Sequence, residues 1–169
     1  MKKVISIFFI VVALISCNHK KEVSSINPEN WKARTIQKKP GNSLDSGKTY
    51  LSVYSQIYGM TEHRIYNLTA TISMRNTNNA DTVFILNAEY YDTKGDLIRS
   101  YFEKPIFLAP METVEIVIDE MDKEGGTGAN FLFEWKTKPS SNETFFEGVM
   151  ISTSGQQGLS FTTQGIKIE

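Results

Sequence analysis

The sequence predicts an all-β protein, an antiparallel β-sandwich of immunoglobulin-like type with about eight short strands. Three observations predict it. Beyond Lys48 the apolar residues recur with a period of two, the signature of half-buried strands. Turn residues interrupt that pattern about every 8–12 residues, as in a sandwich or barrel. No stretch of the same region carries an apolar stripe at helical spacing. A small β-barrel is the alternative; the sandwich is preferred because the strands are short and the longer, evenly spaced hairpins of a lipid-binding barrel are missing.

The first strand spans 48–58, with Leu51, Val53 and Ile57 on one face and Tyr50, Tyr54 and Tyr58 opposite. In the second, over 67–75, Leu68, Ala70, Ile72 and Met74 alternate with polar residues, so one face enters a core and the other meets water. The strand over 82–91 is apolar on both faces near its start, as expected of a central strand. Asp92-Thr93-Lys94-Gly95-Asp96 then reads as a tight connection, with Gly95 supplying a positive φ, into a partner strand over 97–102. Further strands are expected over 113–118, 130–137, 145–152 and 159–168, with Ala109-Pro110 and Pro139 in turns. Phe131, Phe133 and Trp135 fall on one face and should form the heart of the core, joined by Phe145, Phe146 and Phe161.

The N-terminus follows a different grammar. Lys2 and Lys3 precede an apolar run over 4–15 broken only by Ser6, and Ser16-Cys17 follow. A positive start, a short apolar core and small residues at a cut site describe a secretory signal. The run is too short for a permanent span, which needs about 20 apolar residues. Leu14-Ile15-Ser16-Cys17 resembles the bacterial lipobox, which implies a diacylglyceryl group on the Cys17 thiol, acyl chains such as palmitate, and cleavage before that residue. Cys17 is the single cysteine, so an intramolecular disulfide is excluded. The expected division is a lipoprotein signal over 1–17, a polar tether over 18–47, and one domain over 48–169. Within the tether, Asn27 as a cap and Pro28 at a first helical position offer a short helix over 28–37 instead, and Trp31 is placed to dock on the domain.

Charge excludes one class of partner. The chain has 18 Lys and Arg against 19 Asp and Glu, and loss of Lys2 and Lys3 with the signal leaves 16 against 19, a net of −3. That balance, with no basic patch and no zinc-type cysteine spacing, argues against nucleic acid. The expected partners are a lipid bilayer through Cys17 and an envelope protein or glycan, with no cofactor. Location is the cell envelope; Asn18 after the cysteine, where aspartate favours inner-membrane retention in enteric bacteria, tilts the reading to the outer membrane.

Five stretches occur in one order: Val53-Tyr54-Ser55-Gln56-Ile57-Tyr58, Thr71-Ile72-Ser73-Met74-Arg75-Asn76-Thr77, Tyr90-Tyr91-Asp92-Thr93-Lys94-Gly95, Gly125-Gly126-Thr127-Gly128-Ala129-Asn130-Phe131 and Val149-Met150-Ile151-Ser152-Thr153. In order and spacing they resemble the bacterial family catalogued as domain of unknown function 3124, over about 50–165. The resemblance implies a single exported domain, often behind a signal peptide, and brings no established activity.

Three features could carry function. The loop 119–130 places Asp119, Glu120, Asp122 and Glu124 ahead of Gly125, Gly126 and Gly128, and ends at Asn130. Asp119, Asp122 and Glu124 make it a weak calcium candidate, since hard cations want several oxygens on a flexible turn; it lacks the spacing of a helix-loop-helix calcium motif. A solvated connection whose glycines meet special backbone angles explains the same residues. The second feature is the face of Tyr50, Tyr54 and Tyr58, which could stack on sugars, grip a protein, or pack across strands. The third is His63, flanked by Glu62 and Arg64 in an expected loop. One histidine in the domain cannot make a two-histidine metal site, and no Gly-x-Ser-x-Gly elbow marks a nucleophile. The sequence therefore favours a non-enzymatic binding or scaffolding domain, the alternative being a small envelope hydrolase or ion-dependent enzyme using His63 or the acidic loop.

Overall fold

The computed structural model describes residues 28–153 and 158–169. The expected signal over 1–17, with Cys17, and the expected tether up to residue 27 lie outside the described residues. Helix α1 (Pro28–Arg34) precedes twelve strands: β1 (Asp45–Val53), β2 (Gln56–Tyr58), β3 (Ile65–Asn67), β4 (Thr69–Arg75), β5 (Val83–Tyr91), β6 (Leu97–Ser100), β7 (Ile106–Leu108), β8 (Thr113–Ile118), β9 (Ala129–Thr137), β10 (Phe145–Ser152), β11 (Leu159–Gln164) and β12 (Ile166–Lys167). Among the described residues no helix is long and apolar enough to cross a membrane.

The strands make an antiparallel sandwich and no closed barrel. The larger sheet runs β12-β1-β9-β5, with β6 and β7 both on the far edge of β5; the smaller runs β11-β10-β4-β8; β2 and β3 form a separate hairpin. Alternation puts Leu51 and Val53 of β1, Ile85 and Ala88 of β5, and Phe131, Phe133 and Trp135 of β9 inward, all at most 1% exposed. Leu68 and, on β4, Ala70, Ile72 and Met74 face them, each fully buried. Aromatic rings run through this core: Tyr90 stacks on Phe131 at 4.8 Å between centroids, Phe131 on Phe133 at 5.4 Å, and Phe133 on Phe146 at 4.2 Å. Such contacts add to burial worth several kcal/mol for each large side chain. The Trp135 indole N–H donates to Thr49 Oγ1 at 2.9 Å, so its burial leaves no polar atom unpaired. Phe146 joins the core and Phe161 packs against it, whereas Phe145 is half-buried and lies outside it.

Several expected elements are subdivided. The strand expected over 48–58 breaks after Val53, because Leu68 N–H bonds to the Ser55 carbonyl and Gln56 N–H to the Gly126 carbonyl, turning the chain out into the β2–β3 hairpin. The strand expected over 159–168 changes sheets at Gly165, so β11 edges one sheet and β12 the other. The short β7, paired with the start of β5, has no counterpart in the sequence reading. The 92–96 connection is as expected: Gly95 sits at φ 88°, and Asp92 Oδ1 accepts from the Lys94 and Asp96 amides at 2.8 and 2.9 Å.

The stretch read as tether is folded from residue 28 on. The short helix alternative is the one observed, though it ends at Arg34. Trp31 is 6% exposed and packs on Phe102 at 5.5 Å. Arg34 pairs with Glu112 at 2.6 Å, Thr35 bridges to Ile106, and Ile36 N–H donates to the Pro105 carbonyl. The chain is thereby bound along the β6–β7 flank before β1 begins.

Candidate functional site

The ends of β1, β5, β8 and β10 lie at one pole of the sandwich, the upper, and the ends of β4, β7 and β9 at the other, a consequence of the antiparallel registers. At the upper pole three of the quoted stretches meet. Ser55 Oγ and the Gln56 amide donate to the Gly126 carbonyl at 3.2 and 3.0 Å, and Thr93 Oγ1 donates to the Gly125 carbonyl at 3.0 Å. Gly125 is buried against Tyr90: a Cβ there would stand 1.9 Å from the Tyr90 hydroxyl. Gly126 adopts φ 67°, so both glycines answer to close approach and backbone angle.

The acidic residues of this loop do not converge on a cation. Asp122, its side chain fully buried, pairs with Arg99 at 2.8 Å, and Glu124 pairs with the same guanidinium at 2.6 Å. Asp119 Oδ1 accepts the Met121 amide at 2.8 Å, closing its own turn. Among the described residues no three His, Cys, Asp or Glu side chains gather as a metal site. Of the calcium candidates, Asp119 caps a turn, Asp122 accepts the Glu124 amide and pairs with Arg99, and Glu124 pairs with the same arginine. Burial works against the Arg99 charge, and Tyr101, Asp122 and Glu124 outweigh it, so the guanidinium is held above its ordinary value. Burial pushes the Tyr90 hydroxyl up to about 12 and raises Tyr101 as well. Both hydroxyls are buried, the Tyr90 hydroxyl toward Ser55 and the Tyr101 hydroxyl toward Arg99.

The tyrosines do not form one row. Tyr50 lies on the outer face of the larger sheet, 37% exposed; Tyr54, past the end of β1, turns toward the core with its ring 5.7 Å from Phe161; Tyr58 sits on the hairpin, 55% exposed. His63 is at the hairpin tip with 86% of its side chain exposed and Glu62 3.5 Å away. His63 and the buried Asp122 thus belong to separate environments.

What the fold assembles instead is a patch on the outer face. Tyr50 of β1 stands opposite Leu132 of β9, which stands opposite Glu89 of β5; one step along, Ser52, Asn130 and Tyr91 line up in the same way. The Tyr50 hydroxyl donates to Asn130 Oδ1. The Tyr91 hydroxyl donates to Glu89 Oε2 at 2.5 Å, and that bond pushes its pKa up to about 12. Lys48 at the margin is paired with Glu169 at 3.0 Å and Glu134 at 3.8 Å. Sequence reasoning found Tyr50 and Asn130 separately but missed Tyr91 and Glu89; their alternation with buried Tyr90 and Ala88 was the available signal.

The family described as Protein of unknown function (DUF3124) matches residues 46–168. The chain belongs to that family. The upper-pole contacts among Ser55, Tyr90, Thr93, Gly125 and Gly126, and the patch residues Tyr50, Glu89, Tyr91 and Asn130, all lie within the part shared with DUF3124. No curated protein matches the chain. A solved structure to which it is similar, titled "Crystal Structure of Thermotoga maritima 1070", shares 10% identity at a TM-score of 0.45, over 71% of this chain and 92% of that one.

Proposed function

We propose that this member of the family is a lipid-anchored protein of the cell envelope that binds a partner and performs no chemistry of its own. The observation that supports the binding reading is the contrast between its reactive and its recognition groups. Asp122 and Glu124 are engaged by Arg99, and His63 projects from an exposed hairpin tip beside Glu62 and Thr61. Tyr50, Asn130, Glu89 and Tyr91 by contrast share one outward face of a strand trio whose inner face is core. A site on a packed sheet is preorganised, which reduces the entropy lost on binding.

The anchor rests on the lipobox-like Leu14-Ile15-Ser16-Cys17 after a short apolar run. Asn18 favours the outer over the inner membrane. A diacylated Cys17 with its chains in the bilayer gains roughly 0.8 kcal/mol for each buried CH₂, enough with two or more chains for stable attachment. Residues between Cys17 and α1 would then separate the sandwich from the bilayer.

A photo-crosslinking residue at position 50, introduced in the full chain and activated in intact cells, tests the binding half. A discrete adduct from position 50, with none from position 71 on the outer face of the smaller sheet, is the expected outcome. Equal labelling from both positions would remove the assignment of the face.

A further inference from the structure

We propose that the outer face of the larger sheet, centred on Tyr50, Asn130, Glu89 and Tyr91, binds a neutral oligosaccharide chain. This rests on the binding reading above and names the chemistry of the partner. An outward tyrosine on a strand can stand away from the sheet, but here each hydroxyl is tied down to a neighbour on the same surface. Tyr50 reaches across to Asn130 on the adjacent strand, and Tyr91 reaches back to Glu89 on its own. Rings fastened at both ends hold one position on the outer face, so their π surfaces are preorganised for a ligand. A sugar ring has the complementary character, with apolar C–H patches to lay on such a face and hydroxyls around its edge for the amide and carboxylate beside it.

Charge selects among sugars. Lys48, the cation nearest the patch, is answered by Glu134 and Glu169, and Lys136 is directed to the Gly41 carbonyl at 3.3 Å. Glu89 remains as the acceptor, already receiving one hydrogen bond from Tyr91. A phosphate or uronate chain would meet the Glu89 carboxylate beside a Lys48 already paired with Glu134 and Glu169, whereas a neutral polyol can donate to Glu89 and to Asn130. Spacing selects length: β9 lies between β1 and β5 and Tyr91 sits one step along from Tyr50, so the two tyrosines are separated by two strand spacings and a two-residue offset, roughly 12 Å. A single sugar ring covers one of them, and an extended chain covers both.

The test is titration of the detergent-solubilised full-length protein with maltohexaose, xylohexaose and mannohexaose, followed by calorimetry. At least one should saturate at low-millimolar concentration or below, and Tyr50→Ala and Tyr91→Ala should each weaken it by about tenfold. Tyr50→Phe keeps the ring but loses the hydroxyl that ties it to Asn130, so it should weaken binding by about threefold, less than the alanine variant; it keeps the test open if an alanine variant fails to fold. Saturation by none of the three, or binding indifferent to both alanine variants, overturns the proposal. Should none bind while a crosslinker at position 50 captures an envelope protein, the glycan assignment falls and the binding reading stands. Silence in both experiments ends both.

Discussion

The two poles of the sandwich solve the same problem, holding long loops in place, with different chemistry. At the lower pole neutral amides do it. Asn76 Nδ2 donates toward the carbonyls of Asp81, Leu108 and Ala109 at 2.8–3.1 Å, while its Oδ1 accepts both the backbone and the side chain of Asn78. Asn78 in turn exchanges hydrogen bonds with the backbone of Asn142. At the upper pole charge does it, the half-buried Arg99 holding the buried Asp122 and the exposed Glu124, with Tyr90 and Tyr101 buried beside it. Neutral networks lose stability only through their own hydrogen bonds, whereas a buried pair that loses one member leaves an uncompensated charge. The acidic loop is thus fastened to β6, with Asp122 and Glu124 meeting an arginine 25 positions from Glu124.

That difference can be broken from either side. The largest effect is expected for Arg99→Leu, which takes the guanidinium from the buried Asp122 carboxylate at a cost of about 3–5 kcal/mol; Asp122→Asn in the same chain should recover a substantial part, both read by urea unfolding. Next is Asn76→Ala, which frees three carbonyls and the Asn78 amide and should cost about 2–3 kcal/mol. Unlike the arginine variant, it has no single compensating partner. Gly125→Ala sets a methyl against the Tyr90 hydroxyl and should cost about 1–3 kcal/mol, with Tyr90→Phe relieving part of it, since Ala129 Cβ at 2.7 Å and Tyr90 Cζ at 2.8 Å stay in place; equal losses with and without that second change would remove the hydroxyl contact as the cause. The smallest effect concerns acid. Burial opposes the Glu112 charge, but Arg34 and the Ala109 amide outweigh it and hold the carboxyl below its ordinary range. The resulting stabilisation of the α1 flank is present above the unfolded carboxylate pKa and is lost as pH falls through the lowered folded value. Trp31 fluorescence should report that change, and Glu112→Gln should abolish its pH dependence.

How much of this was legible in the sequence follows from which signals are local. The inward faces of β1, β4 and β9 are written as a period of two in Leu51, Ile72 and Phe133 and their neighbours, and the Gly95 turn is written in one residue. The break after Val53 is not, because it depends on the Gly126 carbonyl far along the chain. Trp31 was a lone aromatic in a polar stretch, and only the Phe102 surface explains its burial. The candidate site divides in the same way. Asp122 and Glu124 attract notice as a cluster in sequence, but their partner Arg99 lies on β6. Tyr50, Asn130 and Tyr91 come together only through the register of three strands, which alternation alone does not fix.

The claim that governs where any partner must be sought is the anchor. Intact-mass measurement with detergent partitioning, on the expressed full chain beside Cys17→Ala, tests it most directly. The account predicts a diacylglyceryl mass on a mature chain that begins at Cys17 and enters the detergent phase, with the variant unmodified and aqueous. Two unmodified, aqueous proteins would contradict it.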